Sequence, residues 1–389
     1  MRGEGPMMDE SRILEEIRAC EDEIVETYRT LHSMPEGPFE EHKTSAYIAD
    51  RLVAAGFRVE SGVAETGIVA SLGRLTEPVV ALRADMDALE HEVDGKKVFI
   101  HSCGHDAHST MVLWAGEILA RCYPQAREHL KLIFQPAEET GLGARRMAEA
   151  GAVDDVAVLL GIHLRPASEC PLGKATPCLQ HSASLTVRYK VTGKAAHSGR
   201  PHLGVNAADA VAASVLAVNS IKPDPLLCAT VNVVSLEAGL GPAGIIPESG
   251  TMVVNIRAEH DGVAFELLKR VDSAVLHAAS ASGAVAEKVS VKHTPGAAYD
   301  PGTVAAVKRA ISKVLGEPGV IDRITTPGAE DFHSYRQYKP QLKTAYVGLG
   351  ADLTPGLHDP RCEFNLKALA LGVAVLGLSV IELACGPGA

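Results

Sequence analysis

Apolar residues follow a helical rhythm early in the chain. From Glu10 to Leu31 they recur at helical spacing (Ile13, Leu14, Ile17, Ile24, Val25, Tyr28, Leu31), which predicts one amphipathic helix. A second helix is expected over about 44–55, stopped by Gly56. Unbroken apolar runs predict buried strands at 68–72, 79–82, 130–134 and 156–162, with helices at 109–121 and 143–150 between them. Strands alternating with helices imply an α/β unit whose sheet is mainly parallel and flanked by helices on both faces. Ligands gather at the carboxyl ends of such strands. Here those ends run into Asp85 and Asp87, Glu138 and Glu139, and His163.

The rhythm changes after about Thr176. Strands expected at 184–191, 229–234, 251–257 and 286–293, with helices at 206–219 and 263–279, give a βαββαβ order. That order predicts a small α+β sandwich inserted into the first unit. After Pro295 the larger unit resumes with a helix at 304–315, a strand at 344–349 and a final helix at 368–384. The expected division is therefore 1–175 with 296–389 as one domain and 176–295 as the other.

Composition narrows the partners. A formal net charge of -11 argues against nucleic acid, whose phosphates need clustered Lys and Arg. The first thirty residues are dense in Glu, Asp and Arg, unlike a signal peptide, and the apolar C-terminal stretch is short and interrupted by Glu382. The eight cysteines form no CxxC pair. These features lead to the expectation of a cytoplasmic chain with reduced thiols and no membrane partner.

The run His101-Ser-Cys103-Gly-His105-Asp106-Ala-His108 concentrates imidazoles, a thiol and a carboxylate within eight residues. Those are soft and borderline metal ligands. A polar helix start capped by Asp106 is the plain alternative, and a nucleophilic Cys103 activated at a helix N-terminus is another. Glu138 and Glu139 follow a buried strand, where carboxylates are costly unless solvated or employed. One can ligate a metal while the other serves as general base. His163 and the distant His358 add donors.

Four segments together carry a family resemblance: Ala81-Leu-Arg-Ala-Asp85-Met-Asp87-Ala-Leu89, Cys103 to His108, Phe134-Gln-Pro-Ala-Glu138-Glu139 and Gly161-Ile-His163. They resemble successive signatures of the aminoacylase/carboxypeptidase family of dinuclear metallopeptidases. Within it they are most similar to the amidohydrolase branch of hippurate, auxin-conjugate and N-acyl-amino acid hydrolases. The resemblance runs from Leu31 to His358, nearly the whole chain.

It implies a site for two divalent metals, zinc or manganese with cobalt or nickel as substitutes. Cys103 would be shared between them, with His105, Glu139, His163 and His358 completing the ligands and Asp85 orienting one of them. Glu138 matches the general base that takes a proton from the attacking water and later protonates the leaving amine. Gly193-Lys-Ala-Ala-His197-Ser-Gly-Arg-Pro-His202 matches the lid and dimerisation domain, with His197 holding the developing oxyanion, and implies a homodimer. Arg257 matches the arginine that pairs with the substrate carboxylate, a role suited to a planar bidentate donor. Glu330 and Asp331, in Thr326-Pro-Gly-Ala-Glu-Asp-Phe332, match a loop near the substrate.

Two departures bear on substrate. Gly244 stands where many relatives carry an Asn, thirteen residues before Arg257, and Glu90-His91-Glu92 replaces a Pro-containing stretch, with His91 read as a solvated loop residue. The implied function is hydrolysis of N-acyl amino acids to a carboxylic acid and a free amino acid. The alternatives are a dipeptidase or carboxypeptidase of the same chemistry, a metal-binding relative without catalysis, and a cysteine hydrolase.

Overall fold

A computed structural model describes residues 6–76, 78–239, 241 and 243–385; the first five residues of the acidic and basic N-terminal stretch lie outside them. The chain divides into two units, one of residues 1–179, 298–324 and 331–389, the other of 180–297 and 325–330.

The larger unit is built on seven strands: β1 Arg58–Val63, β2 Gly67–Ser71, β3 Val80–Asp85, β4 Leu130–Gln135, β5 Val158–Pro166, β6 Ala175–Thr176 and β7 Lys343–Leu353. Their order is β1-β2-β4-β3-β5-β7-β6. The central β4-β3-β5-β7 pairings are parallel, and the edges are antiparallel. β3 and β4 are buried along their whole length, as strands covered on both faces must be, and this explains their continuous apolar runs. The final helix, Lys367–Cys385, is long and apolar enough to cross a membrane by composition alone. Its residues Leu369, Val373, Leu376 and Val380 are instead wholly buried in the core.

Three boundaries differ from expectation for physical reasons. The first helix is two, Pro6–Ala19 and Glu21–His32, because Glu21, Asp22 and Glu23 favour a new helix N-terminus after Cys20. The helix expected from 109 begins at His105, so His105 to His108 of the Cys103 run form its first turn. The larger unit extends to Leu179, because β6 pairs with Gly348 and Leu349 of β7.

The smaller unit carries a four-stranded antiparallel sheet in the order Ala229–Ala238, Ser249–Ala258, Ala183–Thr192, Val285–Thr294. Helices Ala207–Asn219 and Asp261–Ala281 bury Val211, Val218, Val271 and Val275 with Leu185, Val187 and Val254 of the sheet. Residues 325–330 belong to this unit: Ser182 donates its N–H to the Gly328 carbonyl and its hydroxyl to that of Thr326.

Candidate metal centre

The centre forms in the larger unit where β3, β4 and β5 meet the His105–Cys122 helix. Gly104 precedes that helix with φ 84, a left-handed conformation that an L side chain would strain. The turn brings Cys103 and His105 to the carboxyl ends of the strands. β4 ends at Gln135, and the chain turns through Pro136 and Ala137 into Glu138 and Glu139. His163 lies within β5 rather than at its tip. His358 sits in a turn at φ 65, held by its N–H on the Ser102 carbonyl at 2.9 Å.

These side chains converge. Donor atoms of Cys103, His105 and His163 lie within 4.8 Å of one another, as do those of Cys103, Glu139 and His358. Cys103 belongs to both sets, which suits a thiolate shared by two ions. Cys103 Sγ is 3.5 Å from His163 Nε2, and Glu139 Oε1 is 3.9 Å from His105 Nε2 and 3.5 Å from His358 Nε2.

Hydrogen bonding prepares the imidazoles as ligands. His105 Nδ1 donates to Asp87 Oδ1 at 3.0 Å, and His163 Nδ1 donates to the Leu164 carbonyl at 2.7 Å. With Nδ1 engaged in this way, Nε2 is the inward-facing nitrogen through which each ring would bind a metal. His105 Nε2 and Glu139 Oε1 are buried without a hydrogen-bond partner. Two orphaned atoms facing each other among a thiol and imidazoles fit a cation, since buried polar atoms otherwise find partners.

Burial and neighbouring charges set the protonation of each donor. Burial, with His108 and Arg165 nearby, holds His163 well below the ordinary imidazole range, so it stays neutral. Burial pushes the Cys103 thiol well above its usual range. Burial, reinforced by Asp87 against the pull of His105, pushes Glu139 up to about 7. For His105 burial acts downward, but Asp85 and Cys103 outweigh it and raise its pKa well above the ordinary value.

Asp85 takes a different place from the one expected. Its Oδ1 accepts from His108 Nδ1 at 2.8 Å and its Oδ2 from Arg83 Nη1 at 2.7 Å, whereas His105 Nε2 is 3.8 Å away. His108 Nε2 in turn accepts the Leu164 N–H. Asp85 thus acts on the site through His108, and Asp87 is the carboxylate that orients a ligand directly. Burial would raise the Asp85 pKa, but His105, Arg83 and His108 outweigh it and hold it well below the carboxylate range.

Arg83, Asp87, His108 and Asp331 are contributors that sequence reasoning left unassigned or unplaced. Asp331 accepts from Arg83 Nη2, Gln135 Nε2 and the Ala144 N–H at 3.1, 2.8 and 2.9 Å, and its own N–H donates to Glu138 Oε1 at 3.3 Å. Glu138 also groups with His105 and Glu139 within 4.8 Å. His91 is half-buried on a hairpin strand, and its Nε2 bonds the Ser102 hydroxyl at 2.8 Å, so it is not a solvated loop residue.

His197 and Arg257 belong to the smaller unit. His197 pairs with Ile245 on a two-residue strand, and its Nδ1 accepts the Gly199 N–H at 3.0 Å, which leaves Nε2 as the N–H donor of a neutral ring. Arg257 donates Nη1 to the Pro327 carbonyl at 2.9 Å. Gly244 accepts the Ser198 N–H, and a Cβ there would meet nothing within 4 Å.

Comparison with known proteins gives a consistent picture. Residues 81–382 match peptidase family M20/M25/M40. The chain is 31% identical to the IAA-amino acid hydrolase ILR1-like 4 of Arabidopsis thaliana, over 91% of this chain and 84% of that protein. It is 32% identical to the indole-3-acetyl-aspartic acid hydrolase of Enterobacter agglomerans, over 82% and 77% respectively. Its fold matches that of YXEP, a dinuclear metal binding M20 peptidase of Bacillus subtilis, with TM-score 0.77, 24% identity and coverage of 94% and 99%.

Proposed function

This chain belongs to peptidase family M20/M25/M40, and from that premise we propose that it is a metal-dependent amidohydrolase that splits N-acyl amino acids into a carboxylic acid and an amino acid. The observation that carries the reading is the convergence of four donors on a shared Cys103, with the carboxylate of Glu138 beside them. Relatives named for hydrolysis of amino acid conjugates support the substrate class.

Cys103, His105 and His163 would hold one ion, and Cys103, Glu139 and His358 the other. Zinc or manganese is proposed, because thiolate with imidazole suits zinc and carboxylate also accepts manganese. Bound metal would supply polarisation of the scissile carbonyl and a water acidified towards neutrality. Glu138 takes the proton from the attacking water and delivers it to the amide nitrogen, so that the C–N bond breaks to a neutral amine. Asp87 holds the His105 ring throughout. A nucleophilic Cys103 fits poorly, since a buried thiol with a raised pKa supplies little thiolate.

His197 is assigned to the oxyanion, supported by its Nε2–H donor state, and Arg257 to the substrate carboxylate. A panel of acetyl-, benzoyl- and long-chain acyl-amino acids, their C-terminal amides and dipeptides tests the reading on metal-reconstituted protein. Turnover should favour acyl substrates and vanish in chelator; turnover of dipeptides alone would make the chain a dipeptidase. On the same panel Arg257→Ala should raise KM about 10–100-fold for free carboxylates, the worth of a charge-assisted hydrogen bond, and spare the amides. Equal damage to both would remove the carboxylate role.

We also assign a homodimer through the smaller unit. Strand Ala229–Ala238 is a sheet edge, and Val234, Leu236 and, on the adjacent helix, Leu216 are 58, 57 and 72% exposed. Sedimentation should give twice the 40.9 kDa chain mass; a monomer at micromolar concentration overturns the assignment.

A further inference from the structure

Glu41 is fully buried and stands at the N-cap of helix His42–Ala54, yet its side chain does not cap that helix. Glu36 does that work instead: its carboxylate accepts the N–H groups of Lys43 and Thr44 at 3.0 Å. The Glu41 carboxylate is thereby released to a different element. Its Oε1 accepts the Ala137 N–H at 2.9 Å, and its Oε2 accepts the Thr66 hydroxyl at 2.5 Å.

Ala137 is the residue before Glu138, and its backbone is unusual. It has φ 54, the left-handed region that strains a residue carrying a Cβ. It is also wholly buried. Three successive N–H groups of the turn end on carboxylates: Ala137 donates to Glu41, and Glu138 and Glu139 donate to Asp87 at 3.1 and 3.0 Å. The far side of the turn is closed by the Ala137 carbonyl, which accepts from Thr140 Oγ1 and the Gly143 N–H. A Cβ on Gly143 would lie 1.7 Å from the Pro136 carbonyl oxygen, so the following helix presses directly on this turn.

We propose that Glu41 is a positioning residue for Glu138: by receiving the Ala137 N–H it fixes the left-handed turn from which the base projects. The inference rests on the reading of Glu138 as the base. Asp87 anchors the ligand-bearing half of the turn, and Glu41 anchors its entry. Reach therefore matters more than charge, because what the turn requires is an acceptor at one point. Burial, opposed by the bonds from Thr66 and Ala137, raises the Glu41 pKa, so a neutral acceptor of the same length suits the site.

The experiment compares Glu41→Gln with Glu41→Asp, both polar and compatible with folding. Gln keeps an acceptor at the same reach and loses the charge; Asp keeps the charge and withdraws the acceptor by one methylene. On the acyl-amino acid turned over fastest, Gln should keep kcat within about threefold. Asp should lose roughly 10–100-fold in kcat, the scale of an ångström-sized misplacement of a reacting group. KM and metal content should be unchanged in both. In a Glu138→Ala background the Asp substitution should cost nothing further, which a general loss of stability would not reproduce. Wild-type kcat in Glu41→Asp, or a loss in both variants that tracks bound metal, overturns the proposal. If Glu138→Ala itself keeps full turnover, the base assignment has failed; if it is inactive while Glu41→Asp is not, only the positioning role has.

Discussion

Glu138→Ala is expected to bind its full complement of metal and to lose roughly 10³–10⁴-fold in kcat, the upper range for removal of a general base. The argument begins from geometry. Glu138 approaches His105 and Glu139, but the two donor sets built around Cys103 do not include it. Its Oε1 accepts the Asp331 N–H, a bond that orients the carboxylate without adding a ligand to the site. Removing the side chain leaves the turn's backbone anchors on Glu41 and Asp87 in place. Glu138→Gln should be as impaired as the alanine variant, because an amide cannot accept the proton that the water must lose. Metal analysis and steady-state rates on one preparation check this. Turnover within tenfold of wild type would remove Glu138 as the base, and loss of metal would make it a ligand.

The donors were legible in the sequence because chemistry and strand ends coincide. β3, β4 and β5 are buried runs that break into Asp87, Glu138 and, within the last of them, His163, where the polarity of each residue conflicts with its apolar context. Their supports were less legible. Arg83 lies inside an apolar strand and reads as an isolated charge until Asp85, Gln135, Tyr346 and Asp331 are seen around it. Asp331 is distant in sequence from Gln135, so no local pattern could join them. Asp85 and Asp87 are two residues apart with the same side chain, and only the fold shows that one faces His108 and the other His105.

Elements as well as contacts escaped local patterns. Strands Leu89–Val93 and Lys96–Ile100 are mostly exposed and lack the apolar alternation of a half-buried strand. Their signal was the turn: Asp94-Gly95 adopts positive φ at both residues, as a two-residue hairpin loop demands. That hairpin seats His91 on Ser102, next to Cys103 in sequence. Glu41 was overlooked for the opposite reason. A Glu before a helix reads as an ordinary surface acid, and its burial against Thr66 and Ala137 comes from chain segments far along the sequence.

Cys103→Ala is expected to lose at least one metal equivalent per chain, with a fall of more than about 100-fold in activity, since loss of an outer-shell partner alone costs 10–100-fold in affinity or activity. Cys103 is the donor common to both sets, so its removal leaves His105 with His163 on one side and Glu139 with His358 on the other. The thiol also gives the experiment a second readout. Cys103, His105 and Glu139 all have raised pKa values, the last about 7, so each holds a proton that a metal must displace. The sign follows: the ligating forms fill as pH rises, so affinity should climb through pH 7 and keep climbing while the thiol remains protonated. Below pH 7 the protonated Glu139 should weaken binding further. Calorimetry in two buffers of different ionisation enthalpy counts the protons released. The alanine variant should release at least one fewer per chain than wild type, because the thiol no longer contributes and a lost metal leaves its other ligands protonated. Unchanged two-metal stoichiometry with unchanged proton release would end the case for Cys103 as a ligand. A drop in both makes Cys103 a ligand.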